Sequence, residues 1–141
     1  MKRFAFSLEK ILSLREFAEK DARLALGRAV AEGARIRNEI ADTAHRRYLA
    51  AQSLSGVIKV NDLSAIQNYL FRLDVRRDTL LLELAQAERV IAEKRTAFAE
   101  AMKNRRALTN LREKKFAAWR KEREREESLV LDEIGNRGIA S

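Results

Sequence analysis

Lys103 through Arg125 hold ten of the chain's basic residues against three acids, Glu113, Glu122 and Glu124. The remaining sequence carries 19 basic and 18 acidic side chains, so +7 of the formal net charge of +8 sits in this one stretch. Part of it reads as a solvated helix face with i,i+3 and i,i+4 pairs such as Glu122–Arg125 and Arg123–Glu127. The excess reads as an electrostatic contact surface for an acidic partner. Other chemistry is poorly provided for. His45 is the single histidine and there is no cysteine, which leaves no metal-ligand set and no thiol nucleophile. No glycine-rich phosphate loop occurs. The many carboxylates stand on helical segments without a desolvating cleft to shift their pKa values. The sequence therefore predicts no catalytic residue, no cofactor and no enzyme.

The element that must position the basic stretch is a long helix. Ile66, Leu70, Leu73, Arg77, Leu80, Leu84, Ala87, Ile91, Lys94, Phe98, Ala101, Arg105 and Leu108 follow one another in steps of four and three. This is the 3.5-residue seam of a coiled coil, and a seam needs a partner helix. Arg77, Lys94 and Arg105 read as polar interruptions that set register, their stems along the seam and their heads in water.

The partner lies upstream. Ser7 is a good N-cap, Phe6 and Ile11 stand at hydrophobic-staple positions, and Glu9 suits the first turn. The first seam reads Ala22, Leu26, Ala29, Gly33, Ile36 and Ile40, then drifts towards Ala44, Tyr48, Ala51 and Leu54. Ser55 to Asp62 break the pattern: Gly56 can end helix 1 in a left-handed cap, and Asn61 or Asp62 can cap helix 2. A connection this short favours antiparallel neighbours. Folding back places Gly33 opposite Leu84 and Ile36 opposite Leu80, to within one helical turn, so small residues face large ones. The expectation is an all-α, two-helix antiparallel coiled-coil hairpin in a single domain: helix 1 over about 7–55, a turn, helix 2 over about 62–134, and a frayed tail over 135–141. About 25 residues of helix 2, roughly 37 Å at 1.5 Å per residue, overhang helix 1 with Phe116 and Trp119. Phe4 and Phe6 can cover part of that overhang, and a protein partner the rest.

Composition agrees. Proline is absent, glycine numbers 5, 35% of residues are charged and only 6% aromatic, the signature of long helices. The basic then apolar start is too short for a signal segment, and no apolar run is long enough to span a bilayer. These features suggest a cytoplasmic protein, and the lack of cysteine permits a reducing compartment.

The opening Phe4-Ala5-Phe6-Ser7-Leu8-Glu9-Lys10-Ile11-Leu12-Ser13-Leu14-Arg15-Glu16 resembles the start of the FliJ family of flagellar type III export stalk proteins. Leu111-Arg112-Glu113-Lys114-Lys115-Phe116, Trp119-Arg120-Lys121-Glu122 and Leu131-Asp132-Glu133-Ile134 are similar to that family's C-terminal run. The resemblance implies a non-enzymatic coiled coil like the central stalk of rotary ATPases, cytoplasmic and peripheral at the inner face of the membrane. It implies that Leu8, Ile11, Leu12, Leu14, Arg112, Lys114, Lys115, Phe116, Trp119 and Arg120 enter the hexameric export ATPase ring. It further implies contact with the cytoplasmic domain of the membrane export gate, where Tyr48, Tyr69 and Leu73 match the expected residue types, although Ala41 and Ala44 fill neighbouring positions. Family members also recycle export chaperones, and no residue here identifies that site.

Three other readings suit the same residues. The equivalent stalk of a virulence secretion system would use the same fold. A nucleic-acid binder could lay the basic helix along a groove, but glutamates interrupt the basic stretch and no dimeric fork positions it. A generic self-associating coiled coil is the third.

Overall fold

The computed structural model describes residues 2–56 and 59–140. Helix α1 spans Glu9–Gln52, a short 3-10 turn follows over Ser53–Ser55, and α2 spans Val60–Ala140. The two long helices pack against each other as an all-α hairpin, with no strand among the described residues. Val57 and Ile58 of the predicted break lie outside the described residues.

The helix ends differ in detail from the sequence expectation. The first turn is closed by backbone, Glu9 N–H donating to Phe6 C=O at 3.1 Å and Leu12 N–H to Leu8 C=O at 2.8 Å. Leu8 rather than Ser7 thereby occupies the capping position. The expected Phe6–Ile11 staple is not seen, since Ile11 is exposed, whereas Phe6 and Leu12 are buried. Gly56 is extended, with φ −95° and ψ 178°, so α1 does not end in a left-handed cap. Instead Ser53 Oγ donates to Leu49 C=O at 3.3 Å and Ser55 Oγ to Gln52 C=O at 2.6 Å, which occupies carbonyls a helix end leaves without partners. Helix α2 starts earlier than predicted, with Leu63 N–H bonded to Lys59 C=O. Asp62 thus stands inside the first turn, where its charge suits the dipole. At the far end α2 continues through Gly135 and Gly138 to Ala140.

The chain divides into two compact units, Asp21–Phe98 and Met1–Lys20 with Ala99–Ser141. In the Asp21–Phe98 unit the core is Ile36, Leu80 and Ala87, with Ile40 and Leu84 packed on it. Leu73 and Ile91 are also buried, and Leu80 has no exposed surface. Every one of these α2 residues belongs to the predicted seam, and Arg77 and Lys94 point to solvent as interruptions should. On α1 the seam departs from the expectation after Ile40. Thr43 is buried, whereas Ala44 and Tyr48 are exposed. The alternation continues from Ile40 by three to Thr43, while Arg47 is exposed and Ala50, Ala51 and Leu54 are half-buried, so the expected drift fails at Ala44 and Tyr48 but holds at Ala51 and Leu54. Thr43 is tolerated because its hydroxyl donates back to Glu39 C=O at 2.8 Å.

The register is displaced at Gly33, while Ile36 shares a core cluster with Leu80 as expected. A Cβ at Gly33 would lie 3.0 Å from Ile91 Cδ1 and meets no atom of Leu84 within 4 Å. Gly33 is therefore a site of close helix approach, whereas Gly27 has open space around its Cβ direction. Gly27→Ala is expected to stabilise the protein by about 0.5–1 kcal/mol through helix propensity alone. Gly33→Ala gains less, because the Ile91 terminus must give way. Paired urea titrations read the difference as a shift in midpoint.

Candidate partner-contact surfaces

The unit formed by Met1–Lys20 with Ala99–Ser141 brings the two chain ends together. Residues 2–8 precede α1 as a non-helical strap, and the strap lies on α2. Phe4 meets Phe116 edge-on, with ring centroids 5.2 Å apart, and Trp119 at 5.9 Å, while Phe116 and Trp119 stack at 5.7 Å. Trp119 Nε1–H donates to Lys2 C=O at 3.1 Å, giving the indole its polar partner. The Arg112 guanidinium sits 5.4 Å from the Phe4 ring centre and that of Arg123 5.6 Å from Trp119, both within cation–π range. The aromatic residues of the predicted overhang are thus covered in part by the chain's own amino terminus. Phe116 remains 41% exposed.

Below the strap, ion pairs fix the alignment of this unit. Arg112 Nε donates to Glu9 at 2.9 Å. Arg105 forms a two-pronged contact with Glu19, Nε to Oε2 at 2.5 Å and Nη2 to Oε1 at 3.2 Å. Glu19's hydrogen bond pushes the Arg105 guanidinium further above its ordinary range, against the opposing effect of desolvation. Arg105 therefore interrupts the seam as predicted, but its head is paired with α1 rather than left in water, a fork geometry that specifies alignment.

Beyond this region α2 stands bare: every described residue from Arg120 to Gly138 is exposed. Of the ten basic residues in the 103–125 stretch, Arg105, Arg112, Arg120 and Arg123 have carboxylate partners. Lys103, Arg106, Lys114, Lys115, Lys121 and Arg125 have none among the described residues, and all six are exposed.

The predicted ring-contact residues are therefore unevenly placed. Phe116, Trp119, Arg112, Lys115 and Arg120 form or flank the aromatic cluster, Lys114 lies on the opposite side of α2, Ile11 and Leu14 are exposed on α1, and Leu8 is half-buried. Leu12 is 4% exposed. It is a core side chain of its unit, with almost no surface to offer a partner.

In the Asp21–Phe98 unit, Tyr48 is 60% exposed and Tyr69 is at the surface, while Leu73 is buried and serves the core. Arg47 reaches across the hairpin to Asp74 at 2.7 Å. Its hydrogen bond, with its charge and that of Arg77, holds the Asp74 carboxyl below the usual carboxylate range, and Arg47 is raised in turn. The structure adds a surface the sequence reading passed over. Phe71, Val75 and Leu82 are all exposed, Leu82 to 75%. Their separations of four and seven put them on one face of α2, turned away from Leu73, Leu80 and Ala87. The same spacing that defines the buried seam was available two residues to its side.

No helix among the described residues is long and apolar enough to cross a membrane. No curated protein and no solved structure matches the chain. A family model described as "Flagellar FliJ protein" matches residues 4–141. That match takes in the strap, both helices and the bare end of α2, and the chain belongs to the FliJ family of flagellar proteins.

Proposed function

We propose that this protein is a non-enzymatic coupling component of the flagellar type III export apparatus. It would bind the hexameric export ATPase through its joined chain ends and the cytoplasmic domain of the export gate through the part of the hairpin near the turn. Its place is the cytoplasm, peripheral at the inner face of the membrane through these partners. The observation that carries the ATPase reading is the cluster of Phe4, Phe116 and Trp119 flanked by Arg112 and Arg123. Partly exposed aromatics beside arginines are the residue types that dominate binding energy at protein interfaces. Membership of a flagellar family favours the flagellar system over a virulence one. Recycling of export chaperones belongs to the same reading, without a surface of its own.

Phe116→Ala combined with Trp119→Ala is expected to cut stimulation of the purified export ATPase about tenfold or more, with helix content retained by circular dichroism. Full stimulation by the double variant would remove this face from the binding site. For the gate, Leu73 is buried, and Phe71 and Val75, exposed on the face of α2 away from Tyr69, stand as further candidates besides Tyr48 and Tyr69. Phe71→Ala with Val75→Ala should weaken capture by the isolated gate domain about tenfold, and unchanged capture would reject this patch.

A further inference from the structure

Six cations of the 103–125 stretch have no carboxylate partner among the described residues, and five of them form a row. At 3.6 residues per turn, Lys103, Arg106, Lys114, Lys121 and Arg125 fall within an arc of about 100°. The arc is centred on the side of α2 opposite Arg112, Phe116 and Trp119, the side that the strap covers. Lys115 lies outside it. The row runs about 33 Å along the helix. Lys103 with Arg106, at i,i+3, and Lys121 with Arg125, at i,i+4, are like-charge neighbours that weaken an isolated helix. Their spacing is comparable with or below the screening length at physiological salt. An anionic surface laid along the row relieves that repulsion.

We propose that this row is a docking surface for an acidic helix of a partner protein, one that carries carboxylates along one face at heptad spacing. The separations along the row are three, eight, seven and four residues, each close to a whole number of helical turns, so one face of a second helix laid alongside would meet the cations in succession. A continuous polyanion fits less well. Glu113 and Glu124 border one edge of the row and Glu100 the other, and they would repel a run of phosphates. A partner helix can set its own cations beside them. No aromatic side chain lies in the row to stack a base.

This surface is separate from the aromatic face argued above for the ATPase, and its test is independent of that reading. The probe is an alanine-rich helical peptide as long as the row, with glutamates at heptad steps on one face. Its control is the same composition with the glutamates distributed around the helix. Binding to the full chain is measured by fluorescence anisotropy, alongside duplex DNA and vesicles of three parts phosphatidylcholine to one part phosphatidylserine. The patterned peptide should bind more tightly than the other three probes, with affinity falling steeply as salt rises. Lys114→Glu with Lys121→Glu should weaken it about tenfold or more. Lys20→Glu with Arg28→Glu, which changes the charge equally elsewhere, should leave most of the affinity, as should Phe116→Ala with Trp119→Ala. Absent binding of the patterned peptide, equal binding of its control, tighter binding of DNA or vesicles, or equal loss in the Lys20/Arg28 variant would each overturn the proposal.

Discussion

Replacing Leu80 by alanine is expected to destabilise the protein by about 2–5 kcal/mol, the range for large-to-small changes at fully buried positions. Leu80 has no exposed surface and is packed with Ile36, Ala87, Ile40 and Leu84. Truncation there removes the transfer free energy of the lost methyl and methylene groups. It also leaves a void between two helices whose backbones are held apart by their other seam residues. Leu82→Ala is the matched control: the same chemical change, two residues away, on a side chain 75% exposed. Its effect on stability should stay within about 0.5 kcal/mol. Urea titrations followed by circular dichroism at 222 nm measure both variants. Equal midpoints for the two would mean that Leu80 is not at the helix interface, and the packing of the Asp21–Phe98 unit would have to be redrawn.

Phe4→Ala is expected to uncover Trp119. The chain has one tryptophan, so its fluorescence reports on this site alone. Phe4 contacts both Phe116 and Trp119 and lies under the Arg112 guanidinium. Losing these ring contacts removes about 0.5–1.5 kcal/mol for an aromatic pair beyond the area it buries. Little else holds residues 2–5 to α2: Lys2 supplies one carbonyl to the indole. The emission maximum should move to the red and acrylamide quenching should rise. The far-UV signal should be unchanged, because residues 2–8 contribute no helix. Phe4→Leu, which keeps apolar bulk but no ring, should fall between the two. A Phe4→Ala protein with unaltered emission would show that the strap does not shield the indole.

The buried α2 seam was legible almost residue by residue. An apolar stripe of 3.5-residue period has one stable destination, the surface of another helix. Leu73, Leu80, Ala87 and Ile91 went there, and the polar members Arg77 and Lys94 stayed in solvent. The hairpin was legible for a related reason, since the short break offered no length for any connection except a return. The α1 seam just beyond Ile40 was misread because apolar character was followed in preference to period. Alanine and tyrosine drew the reading to Ala44 and Tyr48, while the geometry kept Thr43, whose hydroxyl could be satisfied within its own helix. The helix ends were misread where side-chain caps were expected and backbone or serine bonds to preceding carbonyls served instead.

The residue pattern by itself determined the fold class, the existence of two long helices, the location of nearly all the excess charge and the family resemblance. Each of these follows from local sequence, through propensity, period and composition. Only the tertiary structure decided which faces remain available. The stripe of Phe71, Val75 and Leu82 has the same period as the seam on the opposite face, and the packed structure leaves it exposed. Likewise, ten cations within one stretch look equivalent in sequence. The approach of Glu9 and Glu19 on α1 and of Phe4 on the strap engages Arg105 and Arg112, while Lys114 and Lys121 have no carboxylate partner among the described residues. Contacts between residues about a hundred positions apart engage Arg105 and Arg112 and have no local signal, whereas Arg120 and Arg123 pair at i,i+4, a spacing legible in the sequence.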